Sequence, residues 1–210
     1  MSKKIIAFTT LIFSLFYSSS FAFSGSEGVA ANFLAGKGYI TNNSTNVSAY
    51  RLDDGITRKE FMKIVAKING ATVAEKCEKK FSDVDAGDWG CKYIEWALSK
   101  GFVAKNTSFR PNDSITITEA LKLIFKARNI EKKYNTSSWQ ADYINSAYDL
   151  GMIGEKYSNY TSLATRGWIF FVSSKTFSDF VVTEEDELKF DDASLEAELN
   201  DIFDLIDGGQ

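Results

Sequence analysis

Residues 81–128 constrain the fold more than any other stretch of the 210-residue chain, because they place two helices around a short loop. Aromatic and aliphatic side chains recur at helical spacing over residues 89–100. Gly101 follows, where a left-handed C-terminal cap favours a residue without a Cβ atom. Thr116 and Glu119 then stand three residues apart before a second apolar stripe, which predicts a capping box at a helix start. The stretch therefore predicts a helix–loop–helix packing unit.

The order and spacing of these residues resemble the S-layer homology repeat. The family pattern begins with Phe-x-Asp and a Trp, continues with Tyr-Ile and a glycine before an apolar pair, and ends in Phe-x-Pro and Ile-Thr-Arg-x-Glu. The corresponding residues here are Phe81, Asp83, Trp89, Tyr93, Ile94, Gly101, Phe109, Pro111, Ile115, Thr116 and Glu119. The family arginine is replaced by Ile117 in this copy.

A second copy of the pattern precedes this unit and becomes visible when the two are aligned on their glycines. Gly38 is followed by an apolar pair and then by a loop rich in Asn, Ser and Thr. Thr57 and Glu60 repeat the capping box, and an apolar stripe at helical spacing follows them. Arg58 stands at the position of the family arginine, although this copy has no Phe-x-Asp or Trp at its start.

The third copy is more divergent. It opens with Trp139, as the middle unit also opens with a tryptophan. Thr165 and Arg166 stand where the family has Thr-Arg, but Trp168 replaces the capping glutamate. An aromatic-rich helix is predicted beyond this point, over residues 169–177.

Three helix–loop–helix units that cannot bury their apolar faces alone predict an all-α fold with a shared core. The resemblance implies a pseudo-threefold spindle around a central helical bundle, with a groove between adjacent repeats. An unrelated all-α bundle is the alternative. The predicted divisions are a signal peptide at 1–22, repeats at 23–74, 75–130 and 131–182, and an acidic tail at 183–210.

The N-terminal segment is typical of a secretory signal peptide. Lys3 and Lys4 precede an apolar run over residues 5–17, and small residues at 20–22 offer a cleavage site. The run is short of the roughly 20 apolar residues that span a bilayer. We expect an exported protein at the cell surface or envelope, without a membrane span after cleavage. A retained N-terminal anchor is the alternative.

The composition excludes several classes of site. The chain has no histidine, so Ser-His-Asp and Cys-His catalytic sites are impossible within it. No pair of carboxylates stands out as a glycosidase centre. Asp83, Asp85 and Asp88 lack the spacing of an EF-hand calcium loop. We expect no enzyme activity, no cofactor, no metal and no nucleic-acid partner.

The two cysteines, Cys77 and Cys91, both lie outside the predicted signal peptide. An exported chain with two cysteines favours a disulfide between them. A pair of unlinked thiols is the alternative. Two thiols without histidine make an incomplete ligand set for zinc.

The family's ligand is an anionic secondary cell-wall polysaccharide, often bearing a pyruvate ketal, and the resemblance implies the same here. Arg58 and Arg166 are each expected at the first position of a helix, where unpaired backbone N–H groups and the helix dipole favour an anion. An arginine there can grip a carboxylate through paired hydrogen bonds. Trp89 and Trp139 can supply a flat apolar wall for sugars. The alternatives are solvated or ion-paired arginines and tryptophans that wedge between helices.

The tail at 183–210 differs in composition from the rest, with eleven acidic residues against Lys189. Its apolar residues at helical spacing are Leu195, Leu199, Ile202, Phe203 and Ile206. Such a segment is commonly disordered, or it forms a short amphipathic helix that docks on a partner. The alternative function is therefore an exported protein-interaction adaptor that uses the helical body and this tail.

Overall fold

The computed structural model describes residues 25–41 and 47–185, and within these ranges the chain is all-α, as predicted. The predicted signal peptide and residues 186–210 of the acidic tail lie outside the described residues. None of the described helices is long and apolar enough to cross a membrane. The elements are α1 (Gly25–Gly36), a 3-10 helix (Val47–Tyr50), α2 (Arg58–Ile68), α3 (Cys91–Ser99), α4 (Ile117–Ala127), α5 (Trp139–Asp149) and α6 (Arg166–Ser174).

Threonines cap the starts of α2, α4 and α6. Thr57 and Thr116 each form a complete capping box with the glutamate three residues later, which confirms both predicted boxes. The Thr165 side chain accepts a hydrogen bond from the backbone N–H of Trp168. The predicted start of the last helix was therefore three residues too late, because a threonine cap alone suffices to begin α6 at Arg166.

Two other helix boundaries differ from the predictions. The helix expected over 89–100 begins at Cys91, because Asp88 first holds a turn by accepting a hydrogen bond from the Gly90 N–H at 2.7 Å. Helix α6 ends at Ser174 rather than at 177, since the backbone tightens there into hydrogen bonds between residues three apart.

A glycine in the left-handed region ends the first helix of each unit. The φ angles are 71° at Gly38, 68° at Gly101 and 66° at Gly151. For a residue with a Cβ atom, the left-handed conformation costs roughly 1–2 kcal/mol of conformational free energy. The predicted left-handed cap at Gly101 is confirmed, and the same device recurs in the other two units.

The helices pack in pairs that cross the predicted unit boundaries. Helix α1 packs on α6, α3 packs on α2, and α5 packs on α4, while α2 also contacts α4. Phe61 of α2, Phe125 of α4 and Phe170 of α6 are among the largest fully buried side chains. Each unit therefore completes its core with a helix from another unit.

Backbone hydrogen bonds close the three units into a ring. The first N–H groups of a helix have no acceptor within that helix. Here the first N–H of each threonine-capped helix donates at 2.9 Å to a carbonyl in the loop before another threonine-capped helix. The donor–acceptor pairs are Arg58 to Asp113, Ile117 to Ser162, and Arg166 to Asp54. The starts of α2, α4 and α6 thus meet one another around a common centre.

The segment before α3 is fastened to that helix at two points. Cys77 and Cys91 are joined in a disulfide, with Cα atoms 5.9 Å apart. The Glu95 carboxylate also accepts hydrogen bonds from the backbone N–H groups of Glu78 and Lys80, both at 2.9 Å. These contacts fix α3, and with it the turn that carries Trp89, against the linker.

Candidate functional site

Two grooves on the surface are lined by the same set of side chains. We name each by its arginine. The Arg58 groove contains Arg58, Phe109, Glu119, Lys122 and Trp139. The Arg166 groove contains Arg166, Tyr50, Glu60, Lys63 and Trp89. In each, the arginine begins one helix, and the glutamate and lysine lie on a second. Trp139 begins α5, whereas Trp89 lies in the turn just before α3.

Arg58 is held firmly at the floor of its groove. Its Nε donates to the Phe109 carbonyl oxygen at 3.1 Å, and its Nη1 lies 2.9 Å from Oε1 of Glu119. The guanidinium also lies 5.0 Å from the centre of the Phe109 ring. The arginine side chain is only 15% exposed. This arginine therefore connects α2 to α4 and to the loop before α4.

The surroundings of Glu119 lower the pKa of its carboxyl group. Burial alone would raise the pKa of its carboxyl group. Hydrogen bonds from Thr116 and the charge of Arg58 outweigh burial, so the net effect is a pKa below the ordinary value. The glutamate therefore serves both the capping box and the ion pair in its ionised form.

Arg166 repeats this arrangement with a longer ion pair. Its Nε donates to the Tyr50 carbonyl oxygen at 2.9 Å, while its Nη1 lies 3.5 Å from Oε1 of Glu60. The other carboxylate oxygen of Glu60 accepts the Thr57 N–H at 2.8 Å. Burial lowers the pKa of Arg166 and the Glu60 charge opposes that effect. The Arg166 groove thus has the same connections with a weaker charge contact.

The predicted socket of arginine plus free helix N–H groups is wrong in one respect. The first N–H groups of α2 and α6 donate to the carbonyls of Asp113 and Asp54, so they are not available to a ligand. The alternative in which Arg58 and Arg166 are ion-paired to another unit is the arrangement observed.

The tryptophans lie at the surface rather than between helices. Trp89 is 48% exposed and Trp139 is 38% exposed, so the core-wedge alternative is wrong for both. Each indole contacts a tyrosine ring edge-on, Tyr93 for Trp89 and Tyr143 for Trp139, with centroids 6.5 and 6.3 Å apart. These contacts leave indole surface open toward the grooves.

Each groove also contains a lysine that was not predicted from the sequence. The Lys122 ammonium lies 4.9 Å from the centre of the Trp139 ring, and the Lys63 ammonium lies 5.8 Å from that of Trp89. Each lysine stands three residues after the capping glutamate of its helix, on the same side of that helix. This repeated Glu-x-x-Lys spacing is the sequence signal that identifies them.

The third junction, which we call the Ile117 junction, has the backbone contacts without the charged set. Ile117 replaces the arginine and is 6% exposed. Trp168 stands at the glutamate position and donates its Nε1–H to the Tyr157 hydroxyl at 3.0 Å. Phe171 stands at the lysine position. Within the described residues, two grooves of similar chemistry thus accompany one junction of different chemistry.

Glu27 fills space beside the start of α6. A Cβ atom at position 167 would overlap its carboxylate, so Gly167 makes room for it. Burial, and then the charge of Asp53, raises the pKa of Glu27 from 4.5 to about 7. This carboxyl group titrates near neutral pH, and nothing in the sequence pattern signals it.

Asp83 has a structural role in the turn before α4. Its carboxylate accepts hydrogen bonds from the N–H groups of Phe109 and Arg110 at 2.8 and 2.7 Å. Burial raises the pKa of Asp83, but these bonds and the charge of Arg110 together outweigh burial, so the net effect is a lowered pKa. The Asp83 carboxylate therefore caps a turn 26 residues later in the chain.

The cysteines do not form a metal centre in this structure. Cys77, Cys91 and Glu95 have ligand atoms within 4.8 Å of one another. The two sulfur atoms are bonded to each other, and a disulfide lacks the thiolates that zinc requires.

Comparison with known proteins is consistent with these features. Residues 80–116 match the family model described as "S-layer homology domain". The chain is 30% identical over 128 residues to the "Middle cell wall protein" of Brevibacillus brevis, covering 58% of this chain and 12% of that protein. It is 29% identical over 125 residues to "Exoglucanase XynX" of Acetivibrio thermocellus, covering 52% of this chain and 11% of that protein. The chain therefore spans little more than a tenth of either relative. These similarities support the S-layer homology family for this chain, with the family match carried by residues 80–116.

Proposed function

We propose that this chain is a non-catalytic module that attaches to the cell envelope by binding an anionic wall glycan. The observation that carries the proposal is the duplicated groove, in which an exposed tryptophan lies beside cationic side chains. Similarity to a protein named for the cell wall supports a location at the cell surface or envelope, reached by export.

We further infer that the body consists of three S-layer homology repeats, at 23–74, 75–130 and 131–182, in a pseudo-threefold spindle. Three features support this arrangement. Each unit has a threonine-capped second helix, each has a left-handed glycine after its first helix, and backbone hydrogen bonds link the three capped helices in a ring.

The grooves suit part of a polymer better than a small enclosed ligand. Their volumes are about 210 and 280 Å³, below the roughly 300–1,000 Å³ of pockets that enclose a small molecule. Trp89 and Trp139 offer apolar surface for the C–H face of a sugar ring. The cationic side chains beside each tryptophan favour a sugar that bears a carboxylate such as a pyruvate ketal.

Binding to purified bacterial sacculi that carry their acidic secondary polymer tests the proposal. The parent protein should sediment with these sacculi and should not do so after the polymer is extracted. The Trp89→Ala/Trp139→Ala variant should bind at least tenfold more weakly, as expected for truncated aromatic anchors. Tyr148→Ala is the matched control, because Tyr148 is 43% exposed and lies outside both grooves.

The outcomes separate the two functions considered. Equal binding by the parent and the double tryptophan variant would contradict the grooves as the glycan site. Failure of the parent to bind any of these sacculi would contradict wall anchoring as a whole. The interaction-adaptor alternative would then be the function to pursue.

A further inference from the structure

We propose that Lys63 and Lys122 receive the acidic group of the glycan, whereas Arg58 and Arg166 hold the grooves in shape. This inference rests on the proposed function and assigns separate roles to two kinds of cation in each groove. Neither lysine belongs to the repeat pattern described above.

The arginines are committed to protein contacts. In both grooves Nε donates to a backbone carbonyl and Nη1 faces a glutamate, at 2.9 Å for Arg58 and 3.5 Å for Arg166. A carboxylate ligand that drew Nη1 away would leave Glu119 or Glu60 with an uncompensated charge. The glutamates therefore neutralise much of the charge that the arginines bring to the groove.

The lysines have no such partner among residues 25–41 and 47–185. The contact found for each ammonium is the face of a tryptophan ring. Lys59, which also lies over Trp89 at 5.5 Å, is different because its ammonium is paired with Asp88 at 2.9 Å. Each groove thus has one cation, Lys63 or Lys122, that no described carboxylate neutralises.

A lysine resting on an indole is well suited to meet an anion. The ring orients the ammonium without cancelling its charge, and an exposed contact of this kind is weak, so a carboxylate can compete for it. Lysine is also a compact point charge on a flexible stem, which can follow the acidic group of a sugar placed against the tryptophan. The combination provides an apolar face and a mobile cation at one place.

The two grooves repeat this pairing and the third junction does not. Lys63 and Lys122 both stand six residues after a capping threonine, and Phe171 stands at that position in the third unit. The Ile117 junction therefore lacks the arginine and the lysine together, which predicts two anion-receiving grooves in the part of the chain that the structure describes.

The test compares Lys63→Met/Lys122→Met with Lys156→Met. Lys156 is the matched control because its ammonium lies 4.8 Å from the Tyr148 ring centre, outside both grooves. Affinity is measured with sacculi that carry the acidic polymer and with the same sacculi after carbodiimide amidation of their carboxylates. Thermal unfolding of every variant is recorded alongside.

We expect the double lysine variant to bind acidic sacculi at least tenfold more weakly, since each charge-assisted contact is worth about tenfold or more. Its melting temperature should equal that of the parent, Lys156→Met should bind normally, and Lys63→Arg/Lys122→Arg should keep most of the affinity. On amidated sacculi the parent and the double lysine variant should bind equally weakly.

Three results would overturn the assignment. If the parent binds acidic sacculi and the double lysine variant binds equally well, the lysines are not the anion site, while wall anchoring stands. If the double lysine variant melts several degrees lower and the arginine replacement fails to restore binding, the lysines act through the fold. If the parent itself does not bind acidic sacculi, the proposed function and this inference fail together.

Discussion

The two charged grooves and the Ile117 junction are built on the same backbone contacts but carry different side chains. At all three places a capped helix donates its first N–H to a carbonyl of a neighbouring loop at 2.9 Å. The side chains differ at the first, third and sixth positions after the capping threonine. Threonine caps and backbone bonds therefore specify the ring, while the side chains at these three positions set the chemistry of each junction.

The two grooves also differ from each other in how their tryptophan-bearing helices are fastened. A disulfide and Glu95 hold the linker before α3, next to Trp89. Before α5 and Trp139, the linker instead donates backbone N–H groups to the side chains of Ser146 and Asp142, at 2.8 and 2.9 Å. The linker before α3 is thus held in part by a disulfide, whereas the linker before α5 is held by hydrogen bonds.

Removing the disulfide should produce the largest loss of stability. Cys77→Ser/Cys91→Ser should lower the free energy of unfolding by about 3 kcal/mol, because the bridge closes a loop of 14 residues in the unfolded chain. The melting temperature should fall by about 6–12 °C for a chain of this size. Differential scanning calorimetry measures the loss, and the reduced parent should show the same shift. An unchanged melting temperature would mean that Glu95 alone fastens this linker.

The features that were predicted correctly from the sequence are those that depend on local residue patterns. The capping boxes at Thr57 and Thr116 and the left-handed Gly101 follow from residues three or four positions apart, and each is present as predicted. The all-α class follows from the same helical periodicity. These features depend on residues that are neighbours in sequence, which is why a single sequence suffices to predict them.

Features that depend on long-range contacts could not be predicted in the same way. The partner of the Arg58 side chain lies 61 residues away at Glu119, and the acceptor of the Arg166 N–H lies on a loop more than 100 residues earlier. The sequence does not identify these partners, so ligand-binding arginines and solvated or ion-paired arginines both stayed open as alternatives. The exposure of Trp89 has the same origin, because it depends on how α3 packs on α2.

The arginine pairs should differ in strength between the two grooves. Arg58→Ala should destabilise the protein by about 2 kcal/mol, and Arg166→Ala by about 1 kcal/mol, because partly buried pairs exceed surface pairs and the Arg58–Glu119 contact is shorter. Urea unfolding measures both variants. A double-mutant cycle with Glu119→Ala isolates the pair from the capping role of that glutamate. Equal losses would mean that the carbonyl contacts, rather than the ion pairs, carry the stability.

Glu27 makes the stability of the region around the start of α6 dependent on pH near neutrality. The pKa of Glu27 is about 7 in the folded protein, against an ordinary value of 4.5. The folded state therefore favours the protonated form, so its stabilising effect is complete below about pH 4.5 and is lost as pH rises through 7.

Glu27→Gln should remove that dependence. The variant should be more stable than the parent at pH 8 by roughly 1–2 kcal/mol, after allowance for solvent screening of a partly exposed group, and about equally stable at pH 5. Chemical unfolding at the two pH values measures the difference. Asp53→Asn is a useful second variant, because the charge of Asp53 contributes to the raised pKa of Glu27. A pH-independent difference between parent and Glu27→Gln would contradict the assignment.

Removal of residues 186–210 should have the smallest effect. The pairs α1–α6, α2–α3 and α4–α5 close the ring within the described ranges, so the body should remain folded without this segment. We expect the melting temperature to change by less than about 2 °C and sacculus binding to persist at equal or higher affinity, because the truncation removes acidic charge that repels an acidic polymer. Far-ultraviolet circular dichroism with thermal unfolding measures the first effect. A loss of several degrees, reproduced by Leu199→Asp in the full chain, would show instead that the apolar stripe of the tail packs on the body. The same pair of variants assayed on sacculi would then reveal whether that contact also covers a groove.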